Sequence, residues 1–78
     1  MVIYEFQKNS FEKVMMELNN FRGKRLINVR VYYLADSKMD DWKPSSKGIA
    51  MSLDLLPELK KGIDKAYKRW EKKKLNTK

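Results

Sequence analysis

Few residue types in this chain can act chemically on a ligand. With no Cys and no His among 78 residues, disulfides, the usual zinc sites and His-based catalytic triads are excluded. What remains is cationic and aromatic. Arg22, Lys24, Arg25 and Arg30 form an acid-free basic stretch around Gly23, threaded with aromatic and β-branched residues. Cations neutralise phosphates and rings stack on bases, the two needs of a ligand for an unpaired nucleic-acid strand. A plainer reading stands beside this one. Arg22 and Lys24 also suit ordinary charges flanking a turn. Tyr33 shares the strand parity of Ile27, Val29 and Val31, which places it in the core unless a bulge or strong curvature near Tyr32 turns it outward. Asp36, Asp40 and Asp41 offer carboxylates of the kind that hold magnesium in nucleases, although clustered loop acids commonly just form turns.

The charge points the same way. Eighteen Lys or Arg against ten Asp or Glu leave a net charge of +8. That balance favours a polyanion partner, nucleic acid first and an anionic membrane surface second, over a merely solubilising surface. Residues 1–46 hold eight basic and six acidic side chains, and residues 47–78 hold ten and four. The excess is therefore concentrated after Ser46. The longest apolar run is Val31–Ala35, far short of the roughly 18 residues of a membrane span. The N-terminus shows no basic region leading into an apolar stretch. We therefore expect a soluble intracellular chain with no membrane contact, and a single domain over residues 1–78. A core this small is marginal without disulfides, a metal or a partner subunit, so a homo-oligomer is expected. No cofactor and no metal site is indicated.

The elements that would position these residues follow from pattern. Val2–Phe6 reads as a short strand, and Gln7–Ser10 as a polar break. Phe11, Val14, Met15 and Leu18 have helical spacing behind a capping Ser10, while the same stretch also suits a strand ending at Asn19-Asn20. Phe21-Arg22-Gly23-Lys24 reads as a tight turn, since Gly23 accepts positive φ. Leu26–Tyr33 is the clearest strand, with Ile27, Val29, Val31 and Tyr33 on one face and Leu26, Asn28, Arg30 and Tyr32 on the other. Asp36–Ser46 reads as a loop, and Lys47–Met51 as a short final strand. A helix follows, started by Ser52 or Asp54. Leu56, Leu59, Ile63, Ala66 and Trp70 form a heptad seam suited to a helix–helix contact, widened by Leu55 and Tyr67. From Glu71 the seam dissolves into a basic tail, residues 71–78, expected to fray.

In this order, Phe21-Arg22-Gly23-Lys24, Leu26-Ile27-Asn28-Val29-Arg30, Tyr32-Tyr33, Lys43-Pro44 and Lys47-Gly48-Ile49 resemble the single-stranded-DNA-binding domain of the transcriptional coactivator family called positive cofactor four. The resemblance runs over residues 13–70 and leaves residues 1–9 outside it. It implies an α+β fold, a curved four-stranded antiparallel sheet followed by one long C-terminal helix, to which the pattern adds an N-terminal strand. It makes Val14–Leu18 a strand. It implies a homodimer packed through its helices, with Leu56, Leu59, Ile63, Tyr67 and Trp70 at the interface. By position, Phe21 and Tyr33 match the family's base-stacking aromatics. Arg22, Lys24, Arg30 and Lys47 match its basic contacts, Lys43 matches a basic residue ahead of the Pro, and Arg25 completes the basic stretch. Tyr33 stands where the family often has Trp, and Asn19 and Val14 where basic residues are common. The loop from Asp36 to Asp41 also departs by carrying three acids, and together these departures bear on affinity more than on the binding mode.

The function so implied is binding of single-stranded DNA with low sequence specificity, in transcription regulation, replication or repair, with transcription or replication proteins as further partners and no catalytic role. A protein-interaction adaptor that pairs the heptad seam with a foreign helix is the alternative, as is an RNA-binding protein with the same surface. Trp42 reads as a loop-edge stacker or a core cover. Trp70 reads as a helix anchor. Lys60, Lys61, Lys65, Lys68, Arg69 and Lys72 read as a solvated helix face or a weak polyanion surface.

Overall fold

The computed structural model describes residues 1–76, with side chains described through Lys73. Four strands, β1 (Val2–Asn9), β2 (Glu12–Phe21), β3 (Lys24–Asp36) and β4 (Asp41–Ser52), are followed by a 3-10 turn at Leu53–Leu55 and the helix α1 (Leu56–Asn76). The strands form one antiparallel sheet in the order β1-β2-β3-β4. The expected α+β fold is present. The N-terminal strand is one of the four rather than an addition to them.

Each junction has a local cause. At Ser10-Phe11, Asn9 Oδ1 accepts the Phe11 N–H at 2.9 Å and Asn9 Nδ2 donates to Glu12 Oε1 at 2.8 Å, so an Asn-centred turn closes the first hairpin. Arg22 and Gly23 take φ of 53° and 80°. Positive φ at both central residues fits a two-residue turn whose twist suits the flanking strands. Between β3 and β4, Asp36 Oδ1 accepts the Lys38 N–H at 3.0 Å, and Asp40 takes φ 53°.

The strand that the resemblance gives over Val14–Leu18 is present as part of β2, and the helical spacing of Phe11, Val14, Met15 and Leu18 does not become a helix: β2 starts at Glu12, and Phe11 sits in the preceding turn. The period that matters is two, because Val14, Met16 and Leu18 pair with Val31, Val29 and Ile27 on one face. The loop expected over Asp36–Ser46 shrinks to residues 37–40, and β4 begins at Asp41. Pro44 is tolerated because β4 is an edge strand, where a missing N–H need cost no ladder bond. The helix begins with a 3-10 turn, which puts Pro57 in the first turn of α1, where its missing N–H is harmless. Ser52 makes no capping bond to the backbone and instead donates to Asp54 Oδ1 at 2.9 Å. α1 also continues past Glu71 to Asn76, while residues 77–78 of the basic tail lie outside the described residues.

The β2–β3 ladder is regular from Glu12↔Tyr33 to Phe21↔Lys24. The β3–β4 ladder shifts register between Arg30↔Gly48 and Tyr32↔Pro44, so three β4 residues, 45–47, bulge opposite Val31. Ser45 holds the bulge: its Oγ donates to Val31 O at 2.8 Å and accepts the Lys47 N–H at 3.1 Å. Arg30 Nη1 donates to Ser45 O at 3.0 Å. Beside the bulge a Cβ on Gly48 would lie 2.6 Å from Val29 O and 2.8 Å from Arg30 Cα. Both are backbone atoms of a paired strand and cannot swing aside. Gly48→Ala is therefore expected to destabilise the fold by about 1–3 kcal/mol, read as a lower urea midpoint with an unchanged slope.

α1 faces the sheet only through its first turns. An apolar cleft of about 410 Å³ remains between Leu56, Leu59 and Ile63 on the helix and Ile3, Met16, Ile27, Val29 and Ile49 on the sheet. Ile27, 4% exposed, is the one buried hydrophobic side chain among the described residues.

Candidate nucleic-acid interface

The sequence-indicated residues fall into two groups at opposite ends of the β2–β3 hairpin. The first is the hairpin tip. Phe21 ends β2 and pairs with Lys24 across the Arg22-Gly23 turn. Its ring is 60% exposed, and the Arg22 guanidinium stands 5.3 Å from its centroid. That cation–π contact holds a charge beside the ring without burying it. Lys24 and Arg25 line an open hollow with Ser52, Leu53 and Asp54, where the chain leaves the sheet for the helix. One ring and three cations are thus gathered at a protruding turn.

The second group lies at the far end of β3. Tyr33 pairs with Glu12 on one side and Lys43 on the other. Lys47, the last residue of the bulge, borders the shallow apolar hollow over Val14, Val29, Val31 and Ile49. Nine residues separate Lys24 from Tyr33, about 30 Å at the usual strand rise. The sequence pattern treats Phe21 and Tyr33 as one constellation; within a single chain the fold does not bring them together.

Tyr33 reaches solvent by an unexpected route. β3 is not bulged against β2, so Tyr33 keeps the parity of Ile27, Val29 and Val31. It is nonetheless 42% exposed, because α1 covers the sheet only near Ile27 and Val29. The irregularity near Tyr32 belongs to β4. Arg30 takes the opposite parity, is half-buried, and spends Nη1 on the Ser45 carbonyl. The fold therefore gives Arg30 a positioning task at the bulge that carries Lys47.

The face shared by Arg30 is a polar network across the sheet. Tyr32 Oη donates to Glu17 Oε1 at 2.9 Å, and that bond, together with partial burial, raises the Tyr32 pKa above its ordinary value. Lys13 Nζ pairs with Glu5 Oε1 at 3.2 Å and stands 4.6 Å over the Trp42 ring. Trp42 Nε1 donates to Asp40 Oδ1 at 3.0 Å. Trp42 is half-buried with its ring face and its N–H both engaged, so it covers the sheet rather than offering a free stacking face. The acids of the β3–β4 turn are likewise occupied: Asp36 accepts the Lys38 N–H, Asp40 accepts from Trp42, and Asp41 lies 4.0 Å from Lys43. No group of three His, Cys, Asp or Glu among the described residues could hold a metal ion. At the first turn, Glu12 is held below the ordinary carboxylate range by hydrogen bonds from Asn9 and Lys8.

Sequence alone gives no structural role to Ser45 or Gly48, which lie at the β4 bulge that holds Lys47: Ser45 bridges Val31 O and the Lys47 N–H, and Gly48 lets β4 approach the β3 backbone. The signal was present as small residues in Ser45-Ser46-Lys47-Gly48, on a strand mistaken in part for a loop. The five helix residues expected at a dimer interface, Leu56, Leu59, Ile63, Tyr67 and Trp70, are all described. Leu59 is half-buried, whereas Leu56, Ile63, Tyr67 and Trp70 are exposed in the single chain. The Tyr67 and Trp70 rings lie 5.7 Å apart. No helix among the described residues is long and apolar enough to cross a membrane.

Comparisons with known proteins fit this geometry. A family model described as Transcriptional Coactivator p15 (PC4) matches residues 8–62. The RNA polymerase II transcriptional coactivator SUB1 of Saccharomyces cerevisiae is 38% identical over 79 residues, covering 97% of this chain and 25% of that protein. The chain thus spans about a quarter of the length of that curated relative. Among solved structures, a PC4 homolog from Burkholderia pseudomallei superposes with a TM-score of 0.77 at 25% identity, covering 86% of this chain and 88% of the other. A bacteriophage T5 homolog of the eukaryotic transcription coactivator PC4, implicated in recombination-dependent DNA replication, gives a TM-score of 0.60 at 22% identity, over 95% of this chain and 78% of the other. At that identity the phage protein shares the fold alone.

Proposed function

The chain belongs to the PC4 family of transcriptional coactivators, and from that premise we propose that it binds single-stranded DNA as a homodimer with low sequence preference. The observation that carries this reading is the hairpin tip: an exposed Phe21 ring flanked by Arg22, Lys24 and Arg25. Rings stack on any base, and cations follow the backbone without reading sequence. Tyr33 with Lys43 and Lys47 repeats the ring-and-cation combination at the other end of β3. By register the two groups present their rings on opposite faces, since Phe21 pairs with Lys24 on the face of Arg30 whereas Tyr33 shares the face of Ile27. A DNA strand that reaches both rings therefore passes around the sheet and covers more than the ~30 Å of strand between them.

Support for the second copy comes from what a single chain leaves open. A domain whose buried core is Ile27, with an uncovered apolar cleft and an exposed heptad seam, lacks the burial that keeps small domains folded. A partner's seam packed on Leu56, Leu59, Ile63, Tyr67 and Trp70 supplies it. The exposed seam also suits an adaptor for a foreign helix. Sizing the pure protein separates the two: a dimer at low micromolar concentration supports self-association, and a folded monomer supports the adaptor.

Titrating oligo-dT and a duplex of equal length side by side tests the binding reading. We expect at least tenfold tighter binding to oligo-dT. About six phosphate contacts give a log–log salt slope near −4 for a single strand. A slope near zero, or equal affinity for both ligands, counts against it. Matched DNA and RNA oligomers decide the sugar preference, since nothing at either end of β3 is arranged around a 2′-hydroxyl. Service in transcription or replication, beside proteins of those machineries, is part of the proposal and rests on the family.

A further inference from the structure

We infer that the side of α1 turned away from the sheet is a second nucleic-acid surface, one that grips the phosphate backbone of duplex DNA. At 100° per residue, Lys61, Lys65, Lys68, Arg69 and Lys72 fall within an arc of about 100°, centred about 165° from the seam of Leu56, Leu59, Ile63 and Trp70. The seam residues Leu56, Leu59 and Ile63 face the sheet across the apolar cleft. The cationic stripe therefore points away from the sheet and from the seam. All five side chains are exposed. From Lys61 to Lys72 the stripe runs about 17 Å along a straight element.

The charges are available. The helix's ion pairs are Lys60–Asp64 at 3.1 Å and Lys61–Glu58 at 3.4 Å, both in its N-terminal half. Lys65, Lys68, Arg69 and Lys72 make no ion pair with any described residue. Asp64 and Glu71 fall outside the arc, so no acid interrupts it between Lys61 and Lys72. Compensation of the helix dipole does not account for the pattern. That effect falls off within the last turn, whereas the stripe begins fifteen residues before Asn76.

The chemistry of the stripe selects its ligand. It carries cations and no ring, because Tyr67 and Trp70 lie on the seam side. Without stacking groups it gains little from unpaired bases. It can neutralise a regular, dense row of phosphates, which a duplex presents with its bases hidden. An anionic membrane is disfavoured, since the apolar residues that would enter lipid lie on the opposite side, toward the sheet. The hairpin tip and the helix stripe together would let one molecule hold a single strand and a flanking duplex at once. The stripe stands on its own observations and does not require the single-strand reading.

The test uses the full chain, a 20-base-pair duplex and oligo-dT, read by fluorescence anisotropy at two salt concentrations. Changing Lys65, Lys68, Arg69 and Lys72 together to Gln keeps helix propensity and removes four charges. Duplex affinity is expected to fall at least tenfold, with a salt slope shallower by about 3–4, while oligo-dT affinity stays within about twofold. Changing Arg22, Lys24, Arg25 and Lys43 to Gln removes the same charge and is expected to do the reverse. Lys65→Arg, Lys68→Arg and Lys72→Arg together should keep duplex binding, with circular dichroism confirming the helix in every variant. Equal losses of duplex affinity in both Gln sets would reduce the effect to net charge and overturn the inference. So would an unchanged duplex affinity in the helix set, or stripe-dependent binding to phosphatidylserine vesicles without duplex binding. Loss of oligo-dT binding in neither set would sink the single-strand reading alone.

Discussion

Phe21→Ala combined with Tyr33→Ala is expected to weaken oligo-dT binding at least ~30-fold while leaving the salt slope nearly unchanged. Each base–aromatic stack contributes about 1–3 kcal/mol, so losing two removes about 2 kcal/mol or more, and 1.4 kcal/mol is a factor of ten. The slope should hold because the phosphate contacts proposed for Arg22, Lys24, Lys43 and Lys47 do not depend on the two rings. Folding should survive, since neither ring is buried. The single variants add a sharper test. If Phe21 and Tyr33 touch one strand, their losses should be roughly additive, because about 30 Å separates them and distant sites act independently. Phe21→Ala should cost more than Tyr33→Ala, since Phe21 is the more exposed and has Arg22 beside it. Full affinity in the double variant would mean that the rings are surface ornaments and that cations alone hold the strand.

That expectation could be written from sequence, but the geometry behind it could not. Residue types at the hairpin were legible because a tight turn with Gly23 leaves little freedom, and the alternation in Leu26–Tyr33 fixed the faces of β3. Three other features were decided by distant partners. Val14, Met16 and Leu18 become a strand face because Val31, Val29 and Ile27 lie opposite them, which overrides a local helical spacing. Residues 41–46 read as loop because their polar composition suits an edge strand as well as a turn, and only pairing with β3 distinguishes the two. Parity alone places Tyr33 in the core unless a bulge turns it outward, whereas the family resemblance makes it a base-stacking residue. The parity was right and the inference from it was not, because exposure depends on how far α1 extends over the sheet. Local pattern gives direction along a strand; coverage is a property of the assembled layers.

If the proposed homodimer packs through the α1 seam, Ile63→Asp should leave the chain monomeric at micromolar concentration. Ile63 lies at the middle of the seam, 55% exposed in the single chain, and lines the cleft against the sheet. Burying an Ile contributes about 2 kcal/mol, and two copies lose it twice. The pair also gains two carboxylates in an apolar contact, which costs more unless they protonate. About 4 kcal/mol or more in total raises the dimer dissociation constant roughly 10³-fold. Sedimentation equilibrium reads this directly. Thermal unfolding offers an independent sign, because a dimer-dependent core makes the midpoint rise with protein concentration. A lone chain that buries only Ile27 among its described residues should unfold early once separated, so the variant is expected to lose single-strand binding through loss of fold. Lys65→Gln, on the opposite side of the same helix, should leave the dimer intact. A stable monomeric Ile63→Asp variant that still binds oligo-dT would detach the binding surface from self-association and favour the adaptor reading of the seam. An undisturbed dimer would place the second copy elsewhere, with the exposed apolar face formed by Tyr4 and Phe6 of β1 as the next surface to examine.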